Sequence, residues 1–257
     1  MLLSWLDRLT LLIHPHRVVL ERQPWRATAS RHQADVALPT AAETDWQPAL
    51  TAADALLRVH GARGGSLRIV VADHFVRYTI LPWSENLSSP KARQSMALAL
   101  LKHTLGDKVH GLEITVDRPE FARSGIAAGI DRRLLAALRT SAKLHRLHLS
   151  SLRPRLITEL AARKKQLPDG WFACIDRDWL TLAGLRRGEI GCLHSHRANT
   201  GNAPMLAGEL AGLLIAESAA VDGKKLFISS CEVAAPTLSS DWETVRWPAA
   251  VCGEIHA

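Results

Sequence analysis

Alternating cysteine and histidine side chains form a group of metal-binding residue types in this sequence. Cys192, His194 and His196 occupy every second position, so a β-strand would place all three on one face. Zinc accepts thiolate and imidazole ligands, and Cys174 is a candidate neighbour. A single strand seldom completes a tetrahedral site, so a row of packing or solvent-facing side chains explains the pattern better. We therefore expect no bound metal, with this group as a weak candidate.

Other histidine pairs lack a catalytic partner in the sequence. His14 and His16 lie close together, as do His145 and His148, but neither pair has an identifiable nucleophile or acid beside it. The sequence contains no GxSxG, P-loop, HExxH or GxGxxG motif. The glycine-rich stretch Gly61–Gly65 is too irregular for a phosphate loop and is interpreted as a linker. We predict no catalytic residues.

Composition places the chain among ordinary globular proteins. Its 257 residues are 47% apolar and 22% charged, enough for one large domain or two small ones with a substantial core. The cysteines are widely spaced and form no CxxC pair, which favours buried reduced thiols in a reducing compartment. They are Cys174, Cys192, Cys231 and Cys252.

The net charge of +7 favours acidic partners in general, including nucleic acid, anionic lipid or an acidic protein surface. The densest basic groups contain no interleaved aromatic residues, so a solvated surface is favoured over a nucleic-acid site. These groups are Arg132-Arg133, Arg163–Lys165 and Arg186-Arg187. A basic nucleic-acid-binding module remains an alternative hypothesis.

The sequence predicts neither a membrane span nor a secretory signal. No apolar run approaches the roughly 18–20 residues that span a bilayer. The stretch Met1–Leu12 holds Asp7 and Arg8 within its apolar residues and lacks a basic n-region and a cleavage site. We expect a cytoplasmic protein, or the cytoplasmic part of a larger one.

The elements that would position these residues are short strands and amphipathic helices. Alternating apolar residues predict that Leu67–Trp83 is a hairpin with its turn at Asp73-His74. Because both of its faces are largely apolar, we predict a central hairpin covered on both sides. Before it, the patterns predict three strands and a helix over Trp46–Val59. After it, they predict a helix over Arg132–Leu144 with Asp131 as its N-cap and a short strand over His145–Leu149.

A similar order of elements returns in the second half. Three short strands are predicted over Trp171–Ile175, Trp179–Leu182 and Glu189–Ser195. A helix over Pro204–Ser218 and a strand over Lys225–Ile228 follow them. The halves share the order of their elements rather than their residues, which predicts a duplicated α/β fold with mixed sheets.

Short segments in this order resemble one group of actin-like proteins. The phrase Val76–Trp83 is similar to the strand-Arg-strand-Leu-Pro-Trp segment of type II secretion L protein cytoplasmic domains. It also resembles the type IV pilus M proteins and the mannose-sensitive haemagglutinin pilus I proteins. Further matching segments are Leu11–Leu20, Ser151–Pro154 and Trp171–Leu182.

The resemblance implies a duplicated actin-like, ribonuclease H-like fold with two lobes. The first lobe, with an inserted subdomain, would cover residues 1–167, and the second would cover residues 168–257. Active members of the actin-like class hold phosphate with two turns that usually carry Asp and Gly. Here those turns would be His14-Pro15-His16, without a carboxylate or glycine, and Asp176-Arg177-Asp178, without a glycine.

A degenerate nucleotide site follows from these departures, and neither ATP nor magnesium is expected as a cofactor. A late Gly-Gly pair that commonly packs on adenosine is replaced by Ser229-Ser230-Cys231. If nucleotide binding survives, the residues implied are Asp176, Asp178, Ser229 and Ser230.

The resemblance implies a non-catalytic scaffold of a type IV pilus or type II secretion assembly platform. It would lie on the cytoplasmic face of the inner membrane and bind a membrane-anchored platform protein, an assembly ATPase, or both. Arg77 and Trp83 are the first candidates for partner binding, with a salt-bridged strand arginine and a buried tryptophan as the structural alternative. An actin-like ATPase or kinase is the competing enzyme hypothesis, and a homodimer stays open.

Overall fold

A computed structural model describes residues 7–24, 27–36, 45–117, 123–163, 169–219, 221, 223–230 and 236–247. These residues form five α-helices and thirteen strands. The helices are α1 Gln47–His60, α2 Pro90–Leu105, α3 Arg132–Leu144, α4 Arg155–Arg163 and α5 Ala203–Ala216. Strands in the first half are β1 Arg8–Ile13, β2 Arg17–Gln23, β3 Ser30–Asp35, β4 Ser66–Val71, β5 Val76–Leu81, β6 Leu112–Val116, β7 Gly125–Asp131 and β8 His148–Pro154. Those in the second half are β9 Gly170–Asp176, β10 Trp179–Arg186, β11 Glu189–Arg197, β12 Lys225–Ser230 and β13 Glu243–Trp247.

The first five-stranded sheet has the order β3-β2-β1-β4-β8. Strands β1, β2 and β3 form an antiparallel meander, whereas β4 pairs in parallel with both β1 and β8. Apolar side chains make its central strands almost solvent-free, with Leu11 and Ile69 each 1% exposed. Because β1, β4 and β8 are parallel, their carboxyl ends lie at one edge of the sheet.

Helices α1 and α3 are joined by polar contacts. The Asp54 carboxylate on α1 accepts a hydrogen bond from the Ser141 hydroxyl on α3, and its Oδ1 lies 3.2 Å from His145 Nε2. Helix α3 begins where Asp131 Oδ1 accepts the Arg133 N–H at 2.7 Å, which confirms the predicted cap. Within the described ranges, no helix combines the length and apolar character needed to cross a membrane.

The second five-stranded sheet repeats the arrangement of the first. Its order is β11-β10-β9-β12-β13, with an antiparallel meander followed by two parallel strands. Helix α5 covers one face through Leu206, Leu210 and Leu214, which are at most 1% exposed and pack into a core with Trp171 and Ile228. The matching strand orders confirm the predicted repeat of elements.

A third, smaller sheet has the order β5-β7-β6. Leu81 of β5, Ala97 of α2 and Ala127 of β7 form its buried cluster. Ser89 begins α2 by accepting the Ala92 N–H at 3.1 Å, and Pro90 occupies the first turn, where a missing N–H is tolerated.

The chain divides into two compact units. One contains the described residues up to Val76 together with Ile130–Thr158, and the other contains Arg77–Gly129 and the described residues from Glu159 onward. The predicted lobe boundary between residues 167 and 168 lies outside the described residues and stays a prediction.

The predicted Leu67–Trp83 hairpin is wrong. Its two strands, β4 and β5, belong to different sheets, because Asp73–Phe75 form a short 3-10 turn that redirects the chain. Strand β4 is central, as predicted, whereas β5 lies at the edge of the smaller sheet. Alternation marks each strand correctly, but it contains no information on which strand is the hydrogen-bonded neighbour.

Two further elements differ from the sequence predictions. A strand predicted over His145–Leu149 begins later, because α3 ends at a tight turn in which Arg146 has a φ of 54°. Strand β13 was not predicted, although it pairs in parallel with β12. Its exposed residues lack the apolar alternation of a buried strand, and tertiary pairing alone defines it.

Two glycine-to-alanine substitutions test the packing of the second sheet. A Cβ at Gly184 of β10 would lie 2.6 Å from both Cys192 Sγ and Val221 Cγ2, so we expect Gly184→Ala to destabilise the fold by about 1–3 kcal/mol. Gly208 of α5 has no atom within 4 Å of such a Cβ, so Gly208→Ala should stabilise the helix by about 0.5–1 kcal/mol. Urea unfolding measures both changes, and equal stability of Gly184→Ala and wild type would contradict the packing.

Candidate functional site

Four candidate side chains gather at one edge of the second sheet. Asp176 ends β9, while Ser229 and Ser230 end its parallel neighbour β12, with Ser230 in register with Ile175. Asp178 lies in the turn that follows β9. Because the carboxyl ends of parallel strands meet at one edge, the fold brings together residues that are about 50 positions apart in sequence.

Two of these four side chains share a face of the sheet. Ser229 is in register with Cys174, and Asp176 lies two positions beyond Cys174, so Ser229 and Asp176 project to the same side. Ser230 projects to the other side. Asp176 is 5% exposed and Ser229 is fully buried. A carboxylate and a hydroxyl so arranged could accept from a metal-bound water and donate to a phosphate oxygen.

The turn after β9 is fastened to the end of β11. The Thr200 hydroxyl donates to the Arg177 carbonyl, and the Ala198 N–H donates to the Asp178 carbonyl at 3.1 Å. Arg197 Nε lies 4.0 Å from Asp178 Oδ2. No sequence motif marks Thr200, and only the loop after β11 brings it to this turn.

In the corresponding turn of the first sheet, His14-Pro15-His16, two of the three residues are histidines. His14 and Pro15 are buried, and the His14 ring centroid lies 5.7 Å from that of His16. The backbone N–H of His14 donates to the Arg17 carbonyl at 2.9 Å, and Pro15 has no backbone N–H. Two of the three turn residues therefore cannot offer a backbone N–H to a phosphate group.

His74 and Asp73 extend this histidine cluster at the carboxyl end of β4. The His16 and His74 ring centroids are 6.3 Å apart in an edge-on arrangement, and both Asp73 and His74 are buried. Asp73 Oδ1 accepts the Leu156 N–H at 3.2 Å. Asp73 and His74 were predicted to form a hairpin turn, and only the parallel pairing of β4 with β1 places them beside His14 and His16.

The alternating group on β11 contacts one carboxylate of α5 and one that directly follows this helix. His194 Nε2 lies 3.0 Å from Glu217 Oε1, and His196 Nε2 lies 2.6 Å from Glu209 Oε1. Cys192 is buried, and burial, with the nearby Glu217 carboxylate, raises the pKa of its thiol to about 11. A neutral, buried thiol disfavours zinc, which binds cysteine as the thiolate.

Cys174 lies on the wrong face to join that group. Thr181 of β10 is in register with both Cys174 and Ser195, so these three side chains share one side of the sheet. His194 and His196 flank Ser195 in β11 and therefore project to the opposite side. Cys231 and Cys252 lie outside the described residues.

The two candidates for partner binding differ in exposure. The Arg77 guanidinium lies 5.8 Å from the centre of the Trp179 ring, and burial lowers the pKa of Arg77. Trp179 Nε1 donates to the Ser195 hydroxyl at 2.9 Å, which orients the ring. Trp83 follows β5 and is 42% exposed, although a tryptophan side chain is usually mostly buried.

Comparison with known proteins rests on structure. No protein-family model and no curated protein matches the sequence. The cytoplasmic domain of EpsL, an inner membrane component of the type II secretion system of Vibrio cholerae, is similar with a TM-score of 0.63 and 13% identity. The match covers 97% of this chain and 91% of that domain.

Two other solved structures support the same fold. A Bacteroides thetaiotaomicron protein of unknown function with an actin-like ATPase fold has a TM-score of 0.60 and 11% identity, over 95% of this chain and 91% of that one. A chain of the PilM–PilN type IV pilus biogenesis complex has a TM-score of 0.59 and 14% identity, over 87% of this chain and 81% of that one. The chain has the duplicated actin-like fold, and the predicted resemblance is confirmed at the level of structure.

The neutral thiol of Cys192 can be tested by alkylation. A pKa near 11 leaves about 0.1% thiolate at pH 8, so we expect iodoacetamide to label Cys192 about 100-fold more slowly in the folded protein than in urea. Mass spectrometry of tryptic peptides separates this cysteine from the others. Equal rates in folded and unfolded protein would show a reactive thiolate and would restore the case for a metal ligand.

Proposed function

We propose that this chain is a non-catalytic scaffold of a type IV pilus or type II secretion assembly platform. The proposal rests on the similarity of this chain, over most of its length, to the EpsL cytoplasmic domain and to a chain of the PilM–PilN complex. The first is an inner membrane component of a type II secretion system, and the second comes from a type IV pilus biogenesis complex. The chain would lie at the cytoplasmic face of the inner membrane and be held there by its partners.

The proposed lack of catalysis is supported by the first-sheet turn. Actin-like nucleotide sites need backbone N–H groups from two turns, since each phosphate oxygen must be matched by a donor. At His14-Pro15-His16 one backbone N–H is bonded to the Arg17 carbonyl and one is missing, and the His14 ring is buried. A triphosphate would lose a substantial part of its binding energy there.

The proposed partner is the cytoplasmic segment of a membrane-anchored platform protein, with an assembly ATPase as a second partner. PilM is named together with a partner, PilN, in the PilM–PilN type IV pilus biogenesis complex. Trp83 is the candidate anchor for this interaction, because exposed tryptophans are enriched among residues that dominate binding energy. Arg77 would act at the same small sheet, since it belongs to β5 and Trp83 lies two residues after that strand.

A Mg-ATP-binding protein is the second candidate function. The observation that favours it is the gathering of Asp176, Asp178, Ser229 and Ser230 at one sheet edge, with a carboxylate and a hydroxyl on a shared face. In this alternative the second sheet would retain a metal-water and phosphate site although the first sheet has lost its donors.

The partner hypothesis predicts a measurable effect of Trp83. We expect a platform protein's cytoplasmic segment, co-expressed with this chain, to co-elute as a stable complex in size-exclusion chromatography with light scattering. Trp83→Ala should weaken the complex at least about tenfold in calorimetry, as loss of an interface anchor does. Met205→Ala, which removes a 56% exposed side chain from α5, is the matched control and should change affinity by less than about twofold.

Two outcomes would contradict this proposal. Failure to recover a complex with either a platform protein or an assembly ATPase would argue against a scaffold. Equal losses of affinity in Trp83→Ala and Met205→Ala would show that Trp83 is not the anchor, but would not contradict the scaffold function.

Nucleotide titration separates the scaffold from the enzyme alternative. We expect no heat of binding and no thermal shift when Mg-ATP is added to the wild-type chain. A clear binding heat that Asp176→Asn abolishes, with Asp241→Asn as an exposed-carboxylate control, would support the Mg-ATP alternative and contradict a degenerate site.

A further inference from the structure

One segment of the chain is strongly basic, and its positive charge equals the net charge of the whole sequence. Residues 132–158 contain seven arginine and lysine residues and no aspartate or glutamate, while the complete sequence has a net charge of +7. The seven are Arg132, Arg133, Arg139, Lys143, Arg146, Arg153 and Arg155. Arg155 is buried, and the others lie on α3, on β8 or between them, all exposed.

The carboxyl ends of α3 and α1 lie together at the edge of the first sheet where β4 and β8 begin. The Gly64 N–H, after α1, donates to the Arg146 carbonyl, after α3, at 2.8 Å, and the His148 N–H donates to the Gly65 carbonyl at 2.9 Å. We call this edge the basic pole and define it by the exposed residues there. They are Arg58, Val59, Arg63, Lys143, Leu144 and Arg146.

Positive charge at the basic pole is not neutralised within the chain as far as it is described. Arg58, Arg63, Lys143 and Arg146 form no ion pair among the described residues. The nearest carboxylate on the two helices, Asp54, is bonded to Ser141 and His145.

Two further carboxylates, one directly before β1 and one on β2, are also paired. Asp7 Oδ2 accepts from Arg22 Nη2 at 2.7 Å, and Glu21 Oε1 lies 4.0 Å from Arg31 Nη1. These acids therefore neutralise other cations, and the pole keeps a local excess of positive charge.

Two large apolar side chains project among these cations. Val59, near the end of α1, and Leu144, the last residue of α3, are each 72% exposed. Single exposed apolar residues are common, but these two occupy adjacent helix ends and each has a basic neighbour in sequence, Arg58 or Lys143. Cations that flank apolar side chains match an anionic membrane surface, where phosphates meet the cations and apolar side chains enter the boundary with the acyl chains.

We propose that the basic pole binds directly to an anionic phospholipid bilayer. Four uncompensated cations supply the attraction, and Val59 and Leu144 insert at the level of the headgroups. An acidic protein surface or nucleic acid would also attract the cations, but neither would need two solvent-exposed aliphatic side chains beside them. The inference depends on the first unit alone and stands whether or not the scaffold function proposed above is correct.

Vesicle flotation tests the proposal with the full chain. We expect binding to vesicles of phosphatidylcholine with 30% phosphatidylglycerol and none to vesicles of phosphatidylcholine alone, with release when NaCl is raised from about 0.1 M to about 0.5 M, where the Debye length is halved. The variant Arg58→Gln, Arg63→Gln, Lys143→Gln, Arg146→Gln should lose binding by about 600-fold, because each of its four basic residues contributes about fivefold.

A matched variant controls for total charge. Lys91→Gln, Lys102→Gln, Lys108→Gln, Arg187→Gln removes four exposed cations outside the pole and should keep most of the binding. Val59→Ser with Leu144→Ser leaves the charge unchanged and should weaken vesicle binding at least about fivefold, since both residues lose apolar burial.

Several outcomes would overturn the proposal. These are equal binding to neutral and anionic vesicles, equal losses in the two four-residue variants, and no effect of the Val59 and Leu144 substitutions. Absence of vesicle binding by the wild-type chain at low salt would also overturn it, as would retention of duplex DNA or polyglutamate in place of vesicles. Circular dichroism and urea unfolding of each variant ensure that a loss reflects the surface rather than the fold.

Discussion

The candidate chemistry depends on the parallel pairing of two neighbouring strands in each five-stranded sheet. These are the first and fourth strands of each sheet in chain order. In the first sheet β4 pairs with β1, and in the second β12 pairs with β9, each without a register shift. This pairing places the turn after the first strand next to the residues that end the fourth. Asp176 and Ser229 therefore lie at the same edge of the second sheet, and His14 and His74 lie at the same edge of the first, because the carboxyl ends of parallel strands share an edge.

The two sheets use equivalent edges in chemically different ways. At the second, hydrogen bonds from Thr200 and Ala198 hold a turn that retains two carboxylates. At the first, a proline and imidazole rings replace the donors that a phosphate would need. The strand order is the same in both sheets although the chemistry of the turns differs, since strands pair through backbone hydrogen bonds and not through the side chains of the turns.

The opposite edge of the first sheet has a separate character. Helices α1 and α3 end there, so basic residues near their carboxyl ends also interact favourably with the helix dipoles. The same residues that suit the helix ends create the exposed positive surface, and its apolar pair comes from the last turns of both helices. A scaffold held at a membrane by partners would gain orientation from a second, direct contact with lipid.

Local patterns determined much of this protein by themselves. The cap at Asp131, the helix Arg132–Leu144, the meander strands and the repeated order of elements follow from periodicity and capping, which act over a few residues. Only tertiary structure decided that β4 and β5 separate into different sheets, that β13 exists, and that Cys174 faces away from His194 and His196. Strand neighbours and face assignments depend on hydrogen bonds between distant segments, and residue types along one segment do not encode which distant segment will pair with it.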